Sequence, residues 1–142
     1  MSENNESNRP TVGVATVVVK DGKIAIGKDT RKGEAIYGVP GGHWESGETL
    51  KDCALREVKE ESGIEANNAQ LISVYDFYRA DKEKSYVTIG MKADYVSGEF
   101  SDLQDEGRLD WAWCAPEEAL KLNLFPADRV LIERFLSGVV FE

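Results

Sequence analysis

Residues Pro40 to Ile64 read PGGHWESGETLKDCALREVKEESGI. Pro40-Gly41-Gly42 is a breaker cluster, which predicts a loop running to about Gly47. The next segment, Thr49 to Ser62, is helical in pattern. Leu50, Cys53, Ala54 and Val58 recur at steps of three and four and form one apolar stripe, and Gly63 stands where a helix-terminating glycine belongs. The charges of this helix are unusual. Glu57, Glu60 and Glu61 lie at i, i+3 and i+4, where like charges repel by roughly 0.2–0.5 kcal/mol per pair. They also crowd the helix C-terminus, where the macrodipole favours cations by roughly 0.3–1 kcal/mol per charge. Arg56 and Lys59 relieve only part of this. One reading is a solvated acidic face. The other is a hard divalent cation, which takes oxygen ligands and turns the repulsion into attraction. A glycine loop entering such a helix lets backbone approach a ligand closely, and this suits a metal-phosphate substrate.

The flanking sequence predicts a mixed α/β domain. Met1 to Pro10 is polar and reads as a disordered leader, with the domain spanning 11–142. From Thr11, TVGVATVVVK is β-branched and apolar, Asp21-Gly22 supplies a tight turn, and KIAIGK alternates, which together predict a β-hairpin. A charged loop, Asp29 to Glu34, precedes a short strand, Ile36 to Val39. Beyond the helix, strands are expected at Leu71 to Tyr78 and Tyr86 to Tyr95, joined by the turn ADKEK. An acidic loop, Gly98 to Gly107, leads to a strand, Leu109 to Cys114, with Leu109, Trp111 and Trp113 on one face. Pro116 opens a short helix, PEEALKL, and a last helix runs from Pro126 to about Leu136.

Composition narrows the function. The 142 residues suffice for one domain with a core. Seventeen Lys and Arg against 26 Asp and Glu give a net charge of −9, which opposes binding to a nucleic-acid backbone. The apolar stretch Val12 to Val19 is too short to cross a bilayer, and no export signal pattern is visible, so a cytoplasmic protein without a membrane partner is expected. Cys53 and Cys114 read as small buried hydrophobes. His43 is the single histidine, which excludes a multi-histidine zinc site. An acidic calcium-binding surface protein fails for want of the alternating Asp/Asn loop. Sheet edges and exposed aromatics are compatible with a homodimer and do not require one.

Spacing then selects a family. From Gly42 the chain has five residues, Glu48, seven residues, Arg56-Glu57-Val58, one residue, Glu60-Glu61, one residue and Gly63-Ile64. At ordinary residue frequencies this arises by chance less than about once in a billion start positions, so coincidence is set aside. The pattern resembles the Nudix box of the Nudix hydrolases at every defining position. The order of strands and helices on both sides is similar to the Nudix fold, a mixed β-sheet sandwiched between helices (α-β-α).

The resemblance implies hydrolysis of a diphosphate bond in a substrate built on a nucleoside diphosphate, with Mg²⁺ or Mn²⁺ and water. It makes Glu57, Glu60 and Glu61 metal ligands, completed by the carbonyl of Gly41 or Gly42. Glu57 and Glu60 become catalytic candidates, and so does Arg56, which would hold Glu57 and Glu48 in place. Glu48 and Gly63 take structural roles. A further carboxylate from the later acidic loop is implied, with Glu99, Asp102, Asp105 and Glu106 as candidates. Val39 to His43, Tyr86 to Ile89, Trp111 to Trp113 and Leu124-Phe125 are similar to the MutT-like nucleoside-triphosphate pyrophosphatases. That similarity implies a small-molecule nucleotide substrate, a triphosphate giving nucleoside monophosphate and pyrophosphate, with His43, Thr88 and Phe125 at the base and sugar. Against this, His43 could serve only its loop, Thr88 only its strand and Phe125 only the core. ADP-ribose or a nucleotide sugar is the alternative substrate. It is disfavoured because this chain has no proline between Pro40 and Pro116. A catalytically silent nucleotide-binding module is the alternative of another class, and a complete box speaks against it.

Overall fold

The computed structural model describes residues 9–101 and 109–138. The elements run β1 (Thr11–Lys20), β2 (Lys23–Asp29), β3 (Ile36–Gly38), β4 (Gly41–His43), α1 (Leu50–Ser62), β5 (Glu65–Arg79), β6 (Lys84–Ser97), β7 (Leu109–Cys114), α2 (Pro116–Ala119) and α3 (Pro126–Ser137). Asp21 and Gly22, at φ 52° and 78°, close the β1–β2 hairpin with both central residues left-handed, the turn whose twist matches paired strands.

β1 is the centre of a seven-stranded mixed sheet. On one side it pairs in parallel with β6, from Thr11↔Tyr86 to Val19↔Asp94, and β6 pairs antiparallel with β5. On its other side β1 changes partner along its length. Near the hairpin it meets β2, at Val19↔Ile24, whereas its first half meets β4, at Gly13↔His43 and Ala15↔Gly41. β2 has by then turned away to pair with β3 and β7. The divergence of β2 from β1 opens the cleft described below.

Both faces of β1 are covered, so its run is nearly continuously apolar. Side chains alternate across a strand. Val14 and Val18 pack toward α1 with Cys53, Ala54 and Val58, and Ala15 and Val17 pack toward α3 with Leu131 and Ile132. This is the expected α-β-α sandwich. Cys53, Ala54 and Val58 of the α1 stripe are buried against the sheet, and the helix carries its acidic turn with it. Thr49 caps α1, its hydroxyl accepting from the Asp52 amide at 3.0 Å, and Gly63, at φ 85°, returns its amide to the Lys59 carbonyl. Cys53 is buried, Cys114 is half-buried, and neither is in a disulfide.

Several boundaries differ from the sequence expectation. Gly41–His43 is a strand inside the expected loop, because β1 offers its edge to that backbone. β5 begins at Glu65 rather than Leu71, since irregularities between Asn67 and Gln70 absorb Asn68 at φ 57° without ending the pairing. β6 extends beyond both expected ends, to Lys84 and Ser97. The helix expected over Pro116–Leu122 stops at Ala119, and β3 stops at Gly38. Trp111 and Trp113 do share a face and pack on Phe100, with ring centroids 6.2 and 4.9 Å away. The expected place of Leu109's side chain on that face lies outside the described residues, as do the leader through residue 8 and Asp102, Asp105 and Glu106. No helix among the described residues is long and apolar enough to cross a membrane.

Candidate active site

Arg56 organises the last turns of α1. Its Nε and Nη2 grip Glu48 at 2.9 and 2.8 Å, a fork that matches the two carboxylate oxygens. Its Nη1 donates to Glu57 at 3.0 Å and to Glu60 at 3.1 Å, and its Nη2 also reaches the His43 carbonyl at 3.2 Å. Glu48 accepts in addition from the Glu45 amide at 3.0 Å. The guanidinium holds the Glu48 carboxyl down at about 2, well below its ordinary range. The same bond to Glu48 raises Arg56 above its ordinary value. Lys59 turns away to Glu65, at 2.9 Å, and leaves the cluster to Arg56.

The three glutamates of the helix end stand in different environments. Glu57 is 8% exposed, and burial is the largest cause of its raised pKa, with Glu60 adding to it and Arg56 opposing. Its carboxylate lies against Gly42, where an added Cβ would fall on the carboxylate atoms themselves. A side chain at this position of β4 would push the Glu57 carboxylate out of its place. Glu61 points to the same strand, its Oε1 accepting from the Gly41 amide at 2.8 Å. Among the described residues no three acidic or other ligating side chains converge tightly enough to form a finished cation site. Glu57 and Glu60 both accept from Nη1 of Arg56, and Glu61 takes a backbone donor. The group still suits a hard divalent cation, because its donors are all oxygen and Arg56 only partly compensates the buried Glu57 carboxylate. Glu99 is exposed, on a loop that passes the C-terminal end of α1, where the Ser101 amide donates to the Ser62 carbonyl at 2.8 Å.

The divergence of β2 from β1 makes a cavity of about 310 Å³. Its walls include Gly41, Gly42 and Glu61, together with Asp29, Arg31 and Trp111 of the neighbouring strands and loop. Thr88, Phe125, Asp128 and His43 line the same cavity. The structure therefore brings His43, Thr88 and Phe125 to one cavity with the helix glutamate and the glycine loop. Phe125 is 42% exposed, so it is not a core residue. It is fixed by its amide, which donates to the Tyr37 carbonyl at 3.0 Å.

Two cavity residues were not singled out from the sequence. Asp128 accepts from the Val39 amide at 3.1 Å, and burial pushes its carboxyl up to about 7. It and Phe125 close on Gly38 so tightly that a Cβ there would collide with the Asp128 carboxylate and lie 3.0 Å from the Phe125 ring. In the sequence Asp128 looks like any acid in a first helical turn; its cue is only that it follows Phe125-Pro126. Arg31, forked onto Asp29 with Nε at 3.0 Å and Nη2 at 2.6 Å, lies in the charged loop after β2.

A family model described as NUDIX domain matches residues 7–135. The chain is 31% identical over 126 residues to the CTP pyrophosphohydrolase of Escherichia coli (strain K12), covering 87% of this chain and 90% of that protein. Its fold is similar to that of a NUDIX hydrolase from Nitrosomonas europaea, at a TM-score of 0.80 and 26% identity, over 94% of this chain and 93% of that one. It is also similar to a MutT NUDIX hydrolase from Burkholderia pseudomallei, at 0.75 and 30% identity, over 89% and 98% of the two chains.

Proposed function

The chain belongs to the Nudix hydrolase family and is a pyrophosphohydrolase, and on that premise we propose that it cleaves a (deoxy)nucleoside triphosphate to the monophosphate and pyrophosphate. The observation that carries this reading is the single cavity joining the Gly41–Gly42–Glu61 corner to Phe125 and Asp128. Its volume suits one nucleotide. The exposed Phe125 ring offers a face for a base to stack on. Asp128, with one oxygen already fixed by Val39, presents a carboxyl to the base edge, where an exocyclic amine such as that of cytosine can donate to it. The relative named for CTP supports that choice of base.

Nudix enzymes use divalent metal ions, and for this chain we assign Mg²⁺, with Mn²⁺ as substitute. Glu57, Glu60 and Glu61 would hold the ion, with the Gly41 or Gly42 carbonyl. When bound it neutralises phosphate oxygens and acidifies the attacking water. The protein's own contribution is placement. Arg56 fixes Glu57 and Glu60 by direct hydrogen bonds and is itself fixed by Glu48. Gly42 gives the Glu57 carboxylate its seat, and Gly42 itself lines the cleft that would hold the diphosphate. Phosphoryl transfer needs little more than this positioning and charge compensation.

The test is a panel of nucleoside triphosphates, nucleotide sugars, ADP-ribose and dinucleotides with Mg²⁺, with products identified by ³¹P spectroscopy. Inorganic pyrophosphate with a nucleoside monophosphate is expected. Release of AMP with ribose 5-phosphate from ADP-ribose, and no pyrophosphate from triphosphates, would overturn the substrate assignment.

A further inference from the structure

We propose that Arg31 is the specificity residue that binds the departing pyrophosphate half of the substrate, with Asp29 as its positioning partner; this rests on the triphosphate reading. The cavity is acidic, with Asp29, Glu61 and Asp128 on its walls, and the chain as a whole carries −9. Among the described residues that line it, Arg31 is the one lysine or arginine. Arg56, the other arginine of the site, is engaged with Glu48, Glu57 and Glu60. A triphosphate brings more negative charge than one divalent ion cancels, and Arg31, held by Asp29, places a guanidinium on the wall of the same cleft. Arg31 lines the same cavity as Gly41, Gly42 and Glu61.

Asp29 makes this placement permanent. It takes the Arg31 backbone amide at 3.0 Å and the Nε–Nη2 edge of the guanidinium, so main chain and side chain are both set before substrate arrives. Asp29 is itself 13% exposed at the end of β2, whereas the Arg31 side chain is 49% exposed. A rigid residue therefore holds an accessible one. A planar guanidinium matches a phosphate with paired hydrogen bonds, which an ammonium does not reproduce. Preorganisation also spares the ordering cost that a free surface arginine would incur on binding.

The test compares the wild type with Arg31→Ala, Arg31→Lys and Asp29→Asn by calorimetric binding of magnesium pyrophosphate and, separately, of nucleoside monophosphate. Product inhibition of turnover by each is measured in parallel. Arg31→Ala is expected to weaken pyrophosphate binding and inhibition by about tenfold or more, with monophosphate unchanged, and to raise KM for the triphosphate more than it lowers kcat. Arg31→Lys should recover part of the loss, and Asp29→Asn should shift pyrophosphate in the same direction by less. Unchanged pyrophosphate binding in Arg31→Ala would overturn the proposal, as would an equal loss of monophosphate binding. The calorimetric result does not depend on which substrate is turned over. A wild type that releases no pyrophosphate from any triphosphate instead contradicts the functional reading, so the two failures are distinguishable.

Discussion

The Glu57 carboxylate rests on Gly42 with no room for a methyl group, so two residues fifteen positions apart form one feature of the site. Gly42→Ala should displace Glu57 and lower kcat by about a hundredfold or more while circular dichroism stays normal. Near-normal turnover would show that the seat of Glu57 does not matter. Glu60→Gln keeps the shape and removes the charge, and a loss of kcat on the order of a thousandfold with the fold intact is expected from steady-state kinetics. Asp128 adds a pH signature. Burial raises its carboxyl to about 7. Below that pH it is neutral and can donate to a carbonyl, and above it the carboxylate only accepts. Selectivity for CTP over UTP, taken as the ratio of kcat/KM, should therefore rise by about tenfold between pH 6 and pH 8. Asp128→Asn should flatten that ratio; a pH dependence that survives the substitution would remove Asp128 from base recognition.

At the level of elements, α1 and β4 act together. α1 presents the glutamates, β4 presents the glycines, and Arg56 with Glu48 ties the loop between them to the helix. The Glu48 carboxyl, held at about 2, sets the sign of an acid effect. Its folded pKa lies below the ordinary value, so the stability it contributes is present above about 4.5 and is lost as pH falls toward 2. Thermal melts should show a steeper loss of stability across this window in the wild type than in Glu48→Gln. Parallel curves would indicate that the fork adds no stability.

Much of this level was legible in the sequence. The periodicity of Leu50, Cys53, Ala54 and Val58 defines α1, and Asp21-Gly22 defines the hairpin, because both signals are local. β4 was not legible. Two glycines and a histidine carry no strand pattern, and only the distant edge of β1 makes them one. The early half of β5 was hidden for a related reason, since Asn67 and Asn68 read as a break that pairing with β6 bridges. The glutamates were legible as an electrostatic anomaly. His43, Thr88 and Phe125 were reached only through family resemblance, because each is an ordinary residue in its own segment. Asp128 and Arg31 escaped because their significance depends on a cavity formed by strands far apart in the chain.

For the molecule as a whole, the dominant fact is an acidic protein whose family acts on anionic substrates. A net charge of −9 repels a triphosphate from all sides, and one arginine in the cleft cannot offset it. Removal of divalent ions with EDTA should abolish turnover and weaken triphosphate binding severalfold or more, and added Mg²⁺ should restore both. Undiminished binding in EDTA would mean that the cleft attracts the substrate by some other route. On the proposed reading, the glutamates at the end of α1 become compatible with one another by holding a cation against a diphosphate. A crystal structure with Mg²⁺ and a triphosphate carrying a non-hydrolysable α,β bridge tests it most directly. The ion is expected on Glu57, Glu60 and Glu61, with phosphate oxygens on its far side and the base against Phe125. An ion bound elsewhere, with none of the three carboxylates on it, would overturn this reading.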